Sequence, residues 1–240
     1  MRTQWRDEII GWAKTIVAAF LTYCAITTVA YANYAIPSES MVPTLEVGDR
    51  LVVSKFAYGY SRHSLPFNIG ALMPPSEHRL LERMPARGDV IVFVHPRDGR
   101  TMIKRLVGLP GDVIEVRGGR LSINGVDLPS TAPVSLLRQR YRSGLELATR
   151  REETLPGDVR HIVHEFAGEN PLDNFGPYRV PAGALFFMGD NRDNSLDSRW
   201  AGMGVVPIED LIGRAETVYY APRRCADTAC HARWLRPMHD

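Results

Sequence analysis

The sequence predicts a mainly β protein carried on one N-terminal apolar helix, and three observations predict it. Prolines (17) and glycines (20) are scattered along the 240 residues, which breaks the chain into short elements joined by turns. Runs such as Asp89–Val94 and Ala184–Met188 are dense in β-branched and aromatic side chains, which suit a pleated, half-buried surface. The stretch Thr15–Ile36 carries no charge. With 45% apolar and 23% charged residues the composition is that of a folded chain rather than a disordered one. A formal net charge of +2 supplies no strong field toward nucleic acid, so no nucleic-acid partner is expected.

The apolar stretch comes first. A helix over residues 15–36, at about 1.5 Å per residue, spans a hydrocarbon layer of roughly 30 Å. Arg2, Arg6 and Lys14 precede it, while Glu39, Glu46 and Asp49 follow with Arg50 as the nearby cation. Residues 1–14 are therefore expected in the cytoplasm and residues 37–240 outside it. Trp12 at one end and Tyr31 and Tyr34 at the other suit the two interfaces. A cleavable signal peptide is the alternative, because Ala30-Tyr31-Ala32 has small-x-small spacing. The apolar run continues past that point to Ile36, which favours a retained anchor.

Beyond the anchor, a Pro- and Ser-rich corner leads to a strand opening at Leu51-Val52-Val53, and residues 61–87 form a polar connection. Strands are expected over Asp89–Val94 and Thr101–Val107, the second stopped by Gly108-Leu109-Pro110-Gly111-Asp112. Val113–Val116 and Leu121–Ile123 flank a glycine-rich turn and read as a hairpin. Residues from about 125 to 177 are charged and read as an irregular insertion carrying specificity or stability rather than chemistry. Cys24 reads as a buried small hydrophobe. Cys225 and Cys230 are either bridged or reduced. Trp234 is either a packed or exposed aromatic or a contact with the membrane surface.

Several chemistries have no motif here. The chain holds no G-x-S-x-G elbow, no H-E-x-x-H, no phosphate loop and no dinucleotide fingerprint. His161-Ile162-Val163-His164-Glu165 matches no zinc-protease order and reads as solvated surface. Three other elements stand out. Ser38-Glu39-Ser40-Met41-Val42-Pro43 lies just past the apolar stretch, where serines beside a proline usually make a turn. Met102-Ile103-Lys104-Arg105 puts a basic pair inside an apolar strand. A Lys104 facing solvent is inert, whereas a buried one is driven toward its neutral form and can take a proton from a serine hydroxyl. The loop Gly189–Arg199 is crowded with small polar and ionic residues, and its interleaved Arg192 and Arg199 oppose a calcium site.

These elements, in this order after an anchor, strongly resemble the bacterial type I signal peptidases. The matching residues are Pro37-Ser38-x-Ser40-Met41-x-Pro43-Thr44-Leu45 with Gly48-Asp49, then Ser54–Gly59, Arg87–Phe93, Ile103-Lys104-Arg105-x-Val107–Asp112, and Met188–Arg199. The match covers Ile36–Asn124 and Tyr178–Arg214. Any one motif is weakly specific, and five in order make coincidence negligible.

The resemblance implies an antiparallel coiled β-sheet catalytic domain on one transmembrane helix, with a variable insertion. It implies a Ser–Lys dyad, with Ser40 as nucleophile and Lys104 as general base. The Ser38 hydroxyl and the Ser40 backbone N–H would form the oxyanion hole, Ser195 would orient the Lys104 amine, and Asp197 and Arg199 would be a structural ion pair. Ile36, Met41, Leu45, Leu51 and Ile103 would line shallow pockets for small residues. Glu39 lies where many relatives carry Gly or Thr, and its side chain is expected to point away from the nucleophile. No metal or organic cofactor is implied. The implied partners are pre-protein signal peptides and plasma-membrane lipid, with cleavage after a small-x-small motif on the outer, periplasmic face of the bacterial inner membrane. Two alternatives stay open: a Ser–Lys peptidase dedicated to one substrate such as a pilin-type subunit, and a catalytically silent membrane-anchored binding protein. Retention of Ser40, Lys104 and Ser195 together favours an active enzyme.

Overall fold

Helix α1 (Arg2–Val29) opens the computed structural model, which describes residues 2–65, 70, 72–74, 79–140, 144–166, 168, 170–221 and 236–238. Its stretch Glu8–Ile26 has a mean hydropathy of 1.7 and is long and apolar enough to cross a membrane. Apolar side chains are exposed around it, including Trp12, Ile16, Phe20 and Leu21, and are not confined to one face. Cys24 is half-buried on this helix rather than set in a core.

The helix ends earlier than the apolar run. Residues 31–36 were expected within the span, yet strand β1 (Tyr31–Ala35) lies antiparallel to β2 (Arg50–Ser54), from Tyr31↔Ser54 to Ala35↔Arg50. The reason is the partner strand: along β1 the side chains alternate exposed and half-buried, the period of a strand, as the segment pairs with β2. Uncharged composition hid that period.

The strands that follow are β3 (Val90–Val94), β4 (Thr101–Gly108), β5 (Val113–Arg117), β6 (Arg120–Ile123) and β7 (Val126–Asp127). Then come β8 (Val134–Arg140), β9 (Gly144–Leu155), β10 (Val159–Phe166), β11 (Phe175–Arg179), β12 (Ala184–Met188), β13 (Val206–Pro207), β14 (Leu211–Tyr220) and β15 (Arg236–Pro237). The main sheet runs β1-β2-β14-β3-β4-β12-β13, with β15 also on β14, and every pairing is antiparallel. Register shifts along β14 bend it so that it serves β2 and β3 at once, and bends of this kind curl the sheet into a half-barrel. Gly213 sits at the crossing, where an added Cβ would fall 2.3 Å from the Ser54 carbonyl oxygen.

Residues 129–177 are more regular than their charge suggested. Strands β8, β9 and β10 form their own antiparallel sheet, and β11 completes a second small sheet in the order β11-β5-β6-β7. Charged side chains dominate β9, yet Ala148, Glu153 and Leu155 are buried. Within the polar connection, Arg79 is buried and donates to the carbonyls of Tyr58, Gly59, Ile208, Glu209 and Leu211. Cys225, Cys230 and Trp234 lie outside the described residues.

Candidate active site

The connection from β1 to β2 is a loop pinched at its base. Ile36 N donates to the Asp49 carbonyl at 2.9 Å and Gly48 N donates to the Ile36 carbonyl at 2.8 Å. Inside the loop, Leu45 N donates to the Met41 carbonyl at 2.9 Å, and Met41 and Leu45 plug into the core with Ile36, Leu51 and Ile103. All five residues expected to line a substrate pocket therefore gather in one apolar cluster. Ser40 rides directly on this plug, and is itself 6% exposed.

Strand β4 approaches from the side, with Lys104 paired in register with Ile91. Lys104 is buried, at 3% exposure, and its Nζ donates to Ser40 Oγ at 2.7 Å and to the Ile103 carbonyl at 2.9 Å. Burial lowers its pKa to about 8, against the pull of the Asp197 and Asp190 carboxylates in the opposite direction. Ser38 Oγ lies 3.3 Å from Ser40 Oγ. The Glu39 carboxylate faces Asn194 Nδ2 at 3.4 Å, and it is not among the groups that act on Lys104.

The next residue along β4 faces a different partner. Arg105 donates through Nε to Asp190 Oδ1 at 2.8 Å and through Nη2 to Asp190 Oδ2 at 2.7 Å, and through Nη1 to the Gly88 carbonyl. Thr44 Oγ1 donates to the same Asp190 carboxylate. Burial alone would raise the Asp190 pKa, but Arg105 outweighs it and holds the carboxyl below its ordinary range. One fork thus ties β4, the serine loop and the loop after β12 together.

That last loop holds Asp197 and Arg199 as a buried pair. Asp197 Oδ1 accepts from Arg199 Nε at 2.9 Å, and Oδ2 accepts from Arg199 Nη2 at 2.9 Å and from Gly189 N at 3.0 Å. Ser195 is buried beside them, but the expected bond from Ser195 to the Lys104 amine is not formed. The partners of the Lys104 amine are Ser40 Oγ and the Ile103 carbonyl. Ser195 Oγ helps keep Asp197 ionised while falling short of regular hydrogen-bond geometry. It fits only because Gly189 lacks a side chain: a Cβ there would fall 2.2 Å from Ser195 Oγ and 2.5 Å from the Ser40 carbonyl oxygen.

A family model described as signal peptidase, peptidase S26, matches residues 9–220. The chain belongs to the signal peptidase family. It is 31% identical to signal peptidase I of Rickettsia typhi, over 88% of this chain and 82% of that one. It is 34% identical to signal peptidase I of Pseudomonas fluorescens, over 88% of this chain and 72% of that one. A crystal structure of a signal peptidase I from Enterococcus faecalis aligns at 28% identity with a TM-score of 0.34, covering 55% of this chain and 97% of that one.

Two groups of this signal peptidase's site were not read from the sequence. Asn191 holds the serine loop from behind: its N donates to the Ser40 carbonyl at 3.1 Å and its Nδ2 to the Glu39 carbonyl at 3.0 Å. The loop's polar crowding was the signal for it. The second group corrects the reading of His161 and His164 as solvated, since both are buried, at 7% and 3% exposure. Strand β10 runs against the loop after β12, with His164 N donating to the Asp190 carbonyl at 2.8 Å. Burial and the nearby Arg138 and Arg150 lower the His164 pKa to about 4. Among the described residues no cluster of three His, Cys, Asp or Glu side chains is arranged to hold a metal.

Proposed function

We propose that Ser40 and Lys104 form the catalytic dyad of a type I signal peptidase that cleaves exported pre-proteins after a small-x-small motif. Family membership makes the chain a serine endopeptidase acting on signal peptides. The observation that carries the assignment of residues is the 2.7 Å contact between a buried lysine amine and a serine hydroxyl.

A neutral Lys104 accepts the Ser40 proton as Oγ attacks the scissile carbonyl. The charge that develops on the carbonyl oxygen is held by the Ser40 backbone N–H and the Ser38 hydroxyl. The resulting ammonium then protonates the departing amine, which leaves an acyl-enzyme. Lys104, neutral again, removes a proton from the water that hydrolyses it. The cluster of Ile36, Met41, Leu45, Leu51 and Ile103 forms the apolar floor for small side chains, and Ser195, Asp197 and Arg199 support Lys104 from behind.

Helix α1 anchors the protein as a single pass in the inner membrane, with the N-terminus in the cytoplasm and the sheet on the periplasmic side; the charge asymmetry about the helix supports this orientation. The test is cleavage of a pre-protein by the purified full chain. Ser40→Ala and Lys104→Ala are each expected to abolish cleavage while circular dichroism stays unchanged. Substantial activity in either folded variant overturns the dyad.

A further inference from the structure

Besides the Asp197–Arg199 pair, a second deeply buried ionic contact joins the insertion to the loop after β12. Glu153 of β9 and Arg192 are each 2% exposed. Arg192 Nη1 donates to Glu153 Oε2 at 3.0 Å and Nη2 donates to Oε1. His161, directly across from Glu153 on β10, brings Nε2 within 3.4 Å of the same Oε1. Burial would raise the Glu153 pKa, but Arg192 and His161 outweigh it and hold the carboxylate well below the usual glutamate range. Two nearby contacts run from β10 into the same loop: His164 N to the Asp190 carbonyl, and Phe166 N to Asp193 Oδ2 at 2.7 Å. The backbone of Arg192 is gripped as well, its carbonyl accepting from Arg199 Nη2 at 2.6 Å.

What this clamp holds is the residue next door. Asn191 Nδ2 donates to the carbonyl of Glu39. That carbonyl belongs to the peptide plane whose other end is the Ser40 N–H, and a peptide is rigid. Fixing the carbonyl at one end therefore aims the N–H at the other. Asn191 N fixes the following peptide through the Ser40 carbonyl in the same way.

We infer that Glu153 is a positioning residue for the Ser40 backbone N–H, acting through Arg192 and Asn191, so that the insertion is part of the apparatus that stabilises the oxyanion. The inference rests on Ser40 being the nucleophile. Glu153 touches neither substrate nor dyad; its carboxylate sets where Arg192 sits, and Arg192 sets where Asn191 sits.

The experiment is single-turnover cleavage of a pre-protein at saturating full-length enzyme, which reads a rate constant independent of the folded fraction. Glu153→Gln is expected to slow this step roughly tenfold to a hundredfold, the range for a displaced oxyanion donor. The steady-state KM should stay within about twofold, because an interaction made only in the transition state leaves ground-state binding alone. The pH midpoint of the rate should not move, since Glu153 is not among the groups acting on Lys104. Glu153→Asp, which keeps the charge, should recover part of the loss. Asn191→Ala combined with Glu153→Gln should be no slower than Asn191→Ala alone, because both act on one peptide. Where Glu153→Gln does not fold, Glu153→Leu with Arg192→Met removes the charges and fills the space, and the same slowing is expected. A wild-type rate constant in folded Glu153→Gln, or in the double replacement, overturns the inference, as does full additivity with Asn191→Ala. Ser40→Ala is measured alongside; cleavage by that variant would sink the dyad instead, and the two failures are thereby told apart.

Discussion

Lys104 Nζ and Ser40 Oγ stand 2.7 Å apart, with both residues largely buried. Burial lowers the Lys104 pKa to about 8, from the 10.5 of a free lysine. Activity is therefore expected to rise with pH through about 8 as the amine loses its proton. The matching stability change has a definite sign. Between about 8 and 10.5 the unfolded chain binds more protons than the folded one, so this group makes the fold more stable as pH rises across that window. Below it, the full penalty of a buried ammonium is present; above it, the penalty is gone. Asp190 raises the Lys104 pKa, so Asp190→Asn should shift the activity midpoint to lower pH. A midpoint near 10.5 in the parent, or an unmoved midpoint in folded Asp190→Asn, would count against a buried neutral base.

Gly189 is a second point of leverage. A methyl group there meets Ser195 Oγ at 2.2 Å and the Ser40 carbonyl at 2.5 Å, and neither the loop nor the serine turn can retreat without leaving its partners. Gly189→Ala is expected to cost at least about tenfold in kcat, given how steeply rate depends on alignment. Wild-type kcat in a folded Gly189→Ala protein would show that this contact has slack.

Arg79 works on stability alone. Its guanidinium serves five backbone carbonyls, and burial lowers its pKa to about 10. Arg79→Ala strands those acceptors, so a loss of about 3 kcal/mol or more is expected in denaturant melts. Arg79 makes no contact with the dyad, so kcat measured well below the melting temperature should stay within about twofold of the parent. A larger fall in the folded variant would place Arg79 in the catalytic machinery.

Strand β1 sets where the anchor can be removed. A chain beginning at Ala30 keeps the pairing of Tyr31–Ala35 with Arg50–Ser54, and it is expected to fold and to cleave peptides in detergent. A chain beginning at Pro37 loses that strand and exposes the edge of β2, so it should aggregate or melt at lower temperature. Equal melting temperatures for the two would show that β1 contributes nothing.

That Ser40 and Lys104 meet was legible because the proposed chemistry needs particular residue types: a serine after the apolar run and a lysine in an apolar strand, followed by the Gly189–Arg199 loop. The strands around Asp89–Val94, Thr101–Val107 and Ala184–Met188 were legible because their apolar density is a local property. Other features depend on partners distant in the chain. Tyr31–Ala35 becomes a strand only because Arg50–Ser54 is there to pair with it. Glu153 is one acid among many in a charged segment, and its burial is decided by Arg192, 39 positions away. Arg79 is marked by nothing but the carbonyls that converge on it. The Lys104–Ser195 bond was expected from resemblance and is not formed; the amine meets Ser40 Oγ and the Ile103 carbonyl.

Only Ala30 separates helix α1 from strand β1, and its carbonyl is tied by Lys55 N at 2.9 Å. A joint so short leaves the sheet little swivel on its stalk. On the proposed topology the nucleophile stands at a set height above the lipid, and the protein cannot lean toward a scissile bond lying deeper or shallower. Selection of the cleavage position then has a metric side as well as a chemical one. On that proposal, a small-x-small motif is expected to be cut when the length of the pre-protein's own membrane segment lifts it to the level of Ser40, and the same motif placed a helical turn away is expected to be passed over.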